Sequence, residues 1–273
     1  MKIIKKILLK AALTFFLAFR TFSLGAQESS PFTLSLVKDS ILLGSGAILC
    51  ATDFLLDDII QFNQTNFDGN ILDKGSVNSF DRIFMNPYSN NLDNLGTVLC
   101  TASLLLPAAN LAVSPSQYLT IAVMYAQTIL FAHGTKEALK IFVNRPRPYM
   151  YFENYPAEEV QEGDWNNSFP SGHTTYAFAG ASFASYVFSV YFKDSNLKWA
   201  VISGSTLLAS GTAVCRMMSG NHFLSDVIAG ALIGSASGIL VPVLHQKFNS
   251  EQKDSSEIQI SLNGAGLNFC RKF

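Results

Sequence analysis

Apolar residues gather into six long segments, at residues 40–56, 96–113, 118–143, 174–192, 199–214 and 227–244. Segments of this length predict helices, and together they predict an all-α fold: a helical bundle of about six core helices. Gly, Ala and Ser recur in the last three, the composition expected where helices pack closely. Apart from the third, the segments sit at the lower edge of the roughly 17–25 residues that crossing a bilayer takes. The pattern is therefore compatible with a membrane-associated bundle and with a soluble helical domain.

Polar stretches divide the segments. Residues 57–93 are rich in Asn and Asp, show no clear helical period, and read as a long loop holding one small helix. Residues 145–170 mix prolines and glutamates with Tyr149, Tyr151, Phe152, Tyr155 and Trp165, and are the part expected to select a substrate's leaving group. Beyond Lys247 the chain turns polar, and Ile258, Ile260 and Leu262 alternate in the manner of a strand. At the other end, Lys2, Lys5 and Lys6 precede a mostly apolar run over 7–19, followed by Ser23, Gly25 and Ala26. That is the pattern of an export signal, which Lys10 and Arg20 interrupt, so an uncleaved anchor is the alternative. The boundaries that result are a signal or anchor over 1–26, an N-terminal helix and loop over 27–95, a core over 96–246 and a tail over 247–273.

Composition narrows the class. Charged residues make up 14% of the chain, against about 25% in ordinary globular proteins. The deficit points to a membrane or to tightly packed helices. A net charge of −1 supplies no basic surface for nucleic acid. Cys50, Cys100, Cys215 and Cys270 include no CxxC pair, which argues against a zinc or redox site.

Three polar clusters stand where apolar segments begin or end. The first runs from Lys140 to Arg147-Pro148, the second is Pro170-Ser171-Gly172-His173, and the third joins Cys215-Arg216 to His222 and Asp226. Each alone has an ordinary explanation: a basic helix end, an N-terminal helix signal, an i,i+4 pair on one face. Together they meet the needs of phosphoryl transfer. Lys140, Arg147 and Arg216 offer fixed cations for the equatorial oxygens, and Ser171-Gly172 opens a helix whose N–H groups favour anions. Two histidines can divide nucleophilic attack and acid–base work, and a carboxylate on the second nitrogen of His222 would fix its tautomer.

The spacings K-x6-R-P, P-S-G-H and R-x5-H-x3-D resemble the type 2 phosphatidic acid phosphatase family, which also includes bacterial acid phosphatases and vanadium haloperoxidases. The likeness covers about residues 96–244. It implies a bundle with its active site at one end, in which Lys140, Arg147, Arg216, Ser171 and the Gly172 amide bind phosphate. It further implies that His222 forms a phosphohistidine, that Asp226 orients it, and that His173 protonates the leaving group and then activates water. No metal or other cofactor is implied. The implied substrate is a phosphorylated lipid or polyprenyl diphosphate, with a small phosphoester on a soluble periplasmic enzyme as the alternative. A vanadate-dependent oxidase and a non-catalytic lipid-binding protein fit less well. Cys215 departs from the family's usual Ser and is expected to be a buried, inert thiol rather than a second nucleophile.

The same resemblance favours an exported site outside the cytoplasm. If a cleaved signal were followed by six crossings, the third segment would end inside; omitting the first segment, which carries Asp53, restores the outer face. Other polar residues read as structural. His133 is expected to be packed and hydrogen-bonded, His245 to sit favourably at a helix end, and Asp53, Asp57 and Asp58 to form a solvated helix end.

Overall fold

Each of the six apolar segments becomes a helix; the third coincides with its segment, and most of the others begin a few residues earlier. The computed structural model describes residues 30–60, 62, 67–161, 163–247, 258–263 and 266–271; the expected export signal lies outside them. Helix α1 is Leu36–Phe54, α2 the short Ser79–Arg82, α3 Asn90–Leu105, α4 Tyr118–Val143, α5 the short Ala157–Gln161, α6 Gly172–Tyr191, α7 Leu197–Met218 and α8 Leu224–His245. A tighter 3₁₀ stretch, Leu106–Ala112, prolongs α3. Helices α7 and α8 reach 22 residues each, about 33 Å at 1.5 Å per residue. They are thus longer than their apolar stretches alone, and long enough for a bilayer core of about 30 Å.

The tail beyond the bundle carries the strand its alternation predicts. An antiparallel hairpin pairs β1, Ile258–Asn263, with β2, Gly266–Arg271, so that Ile258 faces Arg271. The alternation at 258–262 is this strand.

Helix α6 is the centre of the bundle and packs against α3, α4, α7 and α8, while α1 lies outside against α4. Small residues let the axes come close. A Cβ on Gly234 of α8 would lie 2.2 Å from the Thr175 carbonyl oxygen of α6, and one on Gly180 of α6 would lie 2.3 Å from the Ser103 oxygen of α3. Buried Phe32, Ile121, Met124, Phe183, Phe188 and Val241 fill the end of the bundle away from the site. There, His245 of α8 meets Asp39 of α1 at 2.5 Å and donates from Nδ1 to the Val241 carbonyl. The start of α1 and the end of α8 therefore share one end of the bundle.

A second core underlies the opposite end. Val77, Tyr149, Met150, Tyr151, Val160, Trp165 and Phe223 cluster there, tying the 145–170 loop to the loop before α3. Tyr149, Tyr151 and Trp165 are thus packing residues, buried within the loop expected to select the leaving group. Asp53 is also buried, contrary to the solvated helix end expected of it; the side chains of Asp57 and Asp58 lie outside the described residues. Cys50, Cys100 and Cys215 are free thiols.

The outer surface is apolar. Leu36, Ile41 and Ile48 on α1, Leu207 on α7 and Leu232 on α8 are all more than 60% exposed. Among the described residues two stretches, Asn90–Ala112 and Leu224–His245, are long and apolar enough to cross a membrane, with only 28% and 33% of their apolar windows buried inside the protein.

The close α6–α8 approach yields a prediction. Gly234→Val should force the two helices apart and cost about 2–4 kcal/mol, seen as a clear fall in the thermal midpoint of detergent-purified protein. Gly204→Ala, whose Cβ meets nothing within 4 Å, should leave that midpoint in place. Equal midpoints for both variants would contradict the packing described.

Candidate active site

The three clusters converge at one end of the bundle because alternate helices end and begin there: α4 and α7 finish, α6 and α8 start. The chain leaves α4 through Asn144, whose left-handed backbone (φ 46°) stops the helix before Arg145-Pro146. The R-x5-H spacing also has a local cause. Gly220 adopts φ 76°, and a Cβ there would lie 2.6 Å from the Asn86 oxygen. Only glycine fits this turn, which brings the His222 N–H back to the Arg216 carbonyl at 3.2 Å.

His222 is 2% exposed. Its Nδ1 lies 2.7 Å from the Ser168 carbonyl oxygen. A carbonyl can only accept, so the proton is on Nδ1 and the neutral ring keeps its lone pair on Nε2. Burial, then the positive charges of Arg147, Arg216 and Lys140, hold its pKa well below the usual histidine value. The ring is therefore neutral at physiological pH, with its lone pair on Nε2.

Asp226 does not play the expected part directly. Its Oδ2 is 3.9 Å from His222 Nδ1, too far for a hydrogen bond. Instead Oδ2 accepts from Ser168 Oγ at 2.5 Å and from the Phe223 N–H at 2.7 Å, while Oδ1 accepts from Arg145 Nη1 at 2.6 Å. It caps the first turn of α8 and fixes the residue whose carbonyl fixes His222. Asp226 is thus a positioning residue acting through Ser168.

The expected phosphate cradle divides by how its donors are used. Arg216 is 4% exposed; Nη1 pairs with Asp93, and its buried Nε has no hydrogen-bond partner among the described residues. Arg147, equally buried, donates from Nε to the Asp164 carbonyl at 2.8 Å, from Nη1 to Asn221 Oδ1 at 3.2 Å, and from Nη2 to the Asp164 carboxylate. Burial opposes the Arg147 charge, but Asp164 beside it pushes the pKa up. Lys140 is half-buried with its amine 3.8 Å from Glu137. The Ser171 N–H donates to the Asp226 carbonyl at 3.0 Å, and its hydroxyl shares a 2.9 Å hydrogen bond with Thr174. Gly172 begins α6 with the stem of Lys136 against it. His173, on the next residue, places Nε2 3.2 Å from the Thr97 hydroxyl and lies in the field of Arg216, Arg147 and Lys140.

Several functional residues carry no spacing signal in the sequence. Arg145 bridges Asp226 and Asp81 (2.8 Å), bonds to Ser225 at 2.7 Å and lies 4.0 Å over the Phe223 ring. Asp81 also accepts from the Ser225 N–H, and Asn78 and Asp81 cap α2 reciprocally. Burial would raise the Asp81 carboxyl, yet Arg145 and Asn78 hold it below the usual carboxylate range. That Asn-x-x-Asp cap is the one local signal that could have singled out Asp81. His133 bonds to the Tyr176 hydroxyl at 2.6 Å, the hydrogen bond expected of it, with its side chain 40% exposed rather than packed away. Cys215 is buried with its Cβ 3.2 Å from where a Cβ on Gly96 would lie. Among the described residues no three His, Cys, Asp or Glu side chains are placed to hold a metal ion.

Residues 118–250 match the PAP2 superfamily. Lipid phosphate phosphatase 1 of Arabidopsis thaliana is 33% identical over 129 residues, 39% of each chain. Lipid A 1-phosphatase of Porphyromonas gingivalis is 38% identical over 79 residues, 29% of this chain and 16% of that one. The chain spans well under two thirds of the length of these curated relatives. Among solved structures, the phosphatidylglycerolphosphate phosphatase of Bacillus subtilis, described as a transmembrane PAP2 type, is similar at 17% identity with a TM-score of 0.41. It covers 77% of this chain and 96% of its own.

The Ser168–Asp226 linkage predicts non-additivity. Ser168→Ala and Asp226→Asn should each lower turnover, by about 10- to 100-fold for Asp226→Asn. The double variant should be no worse than the poorer single one, because both act on one network. Multiplying losses in a steady-state kinetic cycle would show that the two act separately.

Proposed function

We propose, from the match of residues 118–250 to the PAP2 superfamily, that this chain is a lipid phosphate phosphatase of that superfamily working through a phosphohistidine on His222. The observation that carries the reading is the committed tautomer of His222: Nδ1 donates to Ser168, so the nucleophilic nitrogen is Nε2, in the field of three cations. Arg216, Arg147 and Lys140, with the Ser171 hydroxyl and the Gly172 amide, bind the phosphoryl oxygens and stabilise charge in the transition state. The Nε2 lone pair forms a bond to phosphorus as the bond to the leaving oxygen breaks, and His173 gives that oxygen its proton. A water molecule then attacks the phosphohistidine; His173 takes the water's proton, and His222 and inorganic phosphate are released. Side chains supply the positive charge at every step, so the proposed hydrolysis needs no metal.

Three features support a lipid substrate at a membrane. Curated relatives include proteins named lipid phosphate phosphatase and lipid A 1-phosphatase. Two helices have the length and apolarity to cross a membrane, and the bundle exposes large apolar residues on its outside. The helices alternate in direction, so the site lies at the end opposite the start of α1. We place that end outside the cytoplasm, with the start of α1 at the inner face.

A substrate panel tests the proposal: phosphatidic acid, phosphatidylglycerol phosphate, a polyprenyl diphosphate, lipid A and p-nitrophenyl phosphate, all in the presence of a chelator. Phosphate should be released from at least one lipid faster than from p-nitrophenyl phosphate, and His222→Ala should lower that rate at least 10³-fold. Undiminished turnover in His222→Ala would refute the mechanism. Preference for the small ester, with release of the protein from membranes by carbonate, would replace the lipid reading with a soluble acid phosphatase.

A further inference from the structure

Arg147 has less to offer an incoming phosphate than its place in the cradle implies. A guanidinium carries five N–H donors. Here Asp164 holds two of its three nitrogens, Nε through the backbone carbonyl and Nη2 through the carboxylate, while Nη1 has Asn221 within reach (Oδ1 at 3.2 Å, the carbonyl at 3.5 Å). The Asp164 carboxylate is the one anion bonded to this guanidinium among the described residues. A phosphoryl group that seeks a two-point grip on Arg147 therefore competes with that carboxylate.

Asp164 is suited to leave. Its side chain is 44% exposed, although the neighbouring Trp165 and Asn166 are buried and keep the backbone in place. Burial would raise the carboxyl, but Arg147 and Lys140 hold it below the usual carboxylate range, so it is ionised and competes as an anion. Replacing one carboxylate by the monoanionic phosphate of a diester leaves the charge at the cations unchanged. Replacing it by the dianionic phosphate of a monoester adds one negative charge in the field of Arg147, Arg216 and Lys140, where close pairs interact strongly. Charge thus separates the two ligands even though their oxygens are alike.

We propose that Asp164 is a specificity-determining residue: it holds Arg147 against monoanionic phosphodiesters, the linkage of bulk phospholipids, and yields to the dianionic terminal phosphate of a monoester or diphosphate. This deepens, and rests on, the phosphatase reading of the same site. A membrane enzyme for scarce phosphomonoesters needs this discrimination, because diester headgroups surround it.

The test compares wild type, Asp164→Asn and Asp164→Glu, purified at full length, on a short-chain phosphatidic acid with short-chain phosphatidylglycerol as competitor. In wild type a tenfold excess of the diester should change the rate less than twofold. In Asp164→Asn the diester should become a competitive inhibitor and KM for phosphatidic acid should fall. As the pH is lowered and the monoester becomes monoanionic, the rise in KM should set in at lower pH than in wild type. Asp164→Glu, which keeps the charge, should restore exclusion of the diester. A fall in kcat with no new inhibition by the diester would overturn the proposal and leave Asp164 a support for the loop, as would equal inhibition of wild type. Failure of the phosphatase reading looks different: wild type would release no phosphate at all. Thermal shifts induced by methyl phosphate and dimethyl phosphate then decide the discrimination without turnover, since equal shifts in wild type would also overturn it.

Discussion

Arginines gathered at one end of an apolar bundle cannot remain without anions, and that constraint organises the rest of the structure. Two of them, Arg147 and Arg216, are almost wholly buried. A buried cation left unpaired is strongly destabilising. Each therefore has its own carboxylate from a different part of the chain: Asp164 for Arg147, Asp93 for Arg216, and Asp81 with Asp226 for the half-buried Arg145. These ion pairs fold the loop before α3 and the 145–170 loop onto the helix ends. The second aromatic core then packs beneath them. The site is assembled by the same charges that would bind its ligand.

His222 benefits from that assembly indirectly. Its ring is aimed by a backbone carbonyl, and the carbonyl is aimed by a hydroxyl bonded to Asp226. Asp226 is in turn balanced by Arg145. Such a relay lets the carboxylate stay one residue away from the ring, so the neutral state of His222 is governed by its burial and then by the cations facing it. On the proposed reading, phosphate binding would be an exchange of anions around fixed cations rather than the filling of a bare positive pocket.

Much of this was legible in the sequence, for identifiable reasons. Helical segments announce themselves by long apolar runs, and Tyr118–Val143 coincides with its helix at both ends. The other helices run past their apolar runs because polar residues such as Arg216 can occupy a last turn while facing the site. The three motifs met at one end because each lies at a helix terminus. The carboxylate partners were not legible: Asp81, Asp93 and Asp164 lie in or beside irregular segments, where no period links a residue to a distant arginine. For the same reason the i,i+4 spacing of His222 and Asp226 suggested a direct hydrogen bond. His222 precedes α8, however, so the helical geometry that would bring the pair together does not apply. The aromatic residues of the 145–170 loop looked like a recognition surface because composition cannot say which face of a loop is covered.

The central claim is that Nε2 of His222 attacks phosphorus because Nδ1 is held by Ser168. The most direct measurement is trapping of the covalent intermediate in a His173→Ala variant by an alkaline quench, which preserves the acid-labile P–N bond, followed by mass-spectrometric and ³¹P NMR assignment of the phosphorylated atom. The account predicts phosphate on His222, attached at Nε2. Phosphate at Nδ1, on another residue, or a rapidly hydrolysing variant with phosphate never bound to the protein would contradict it.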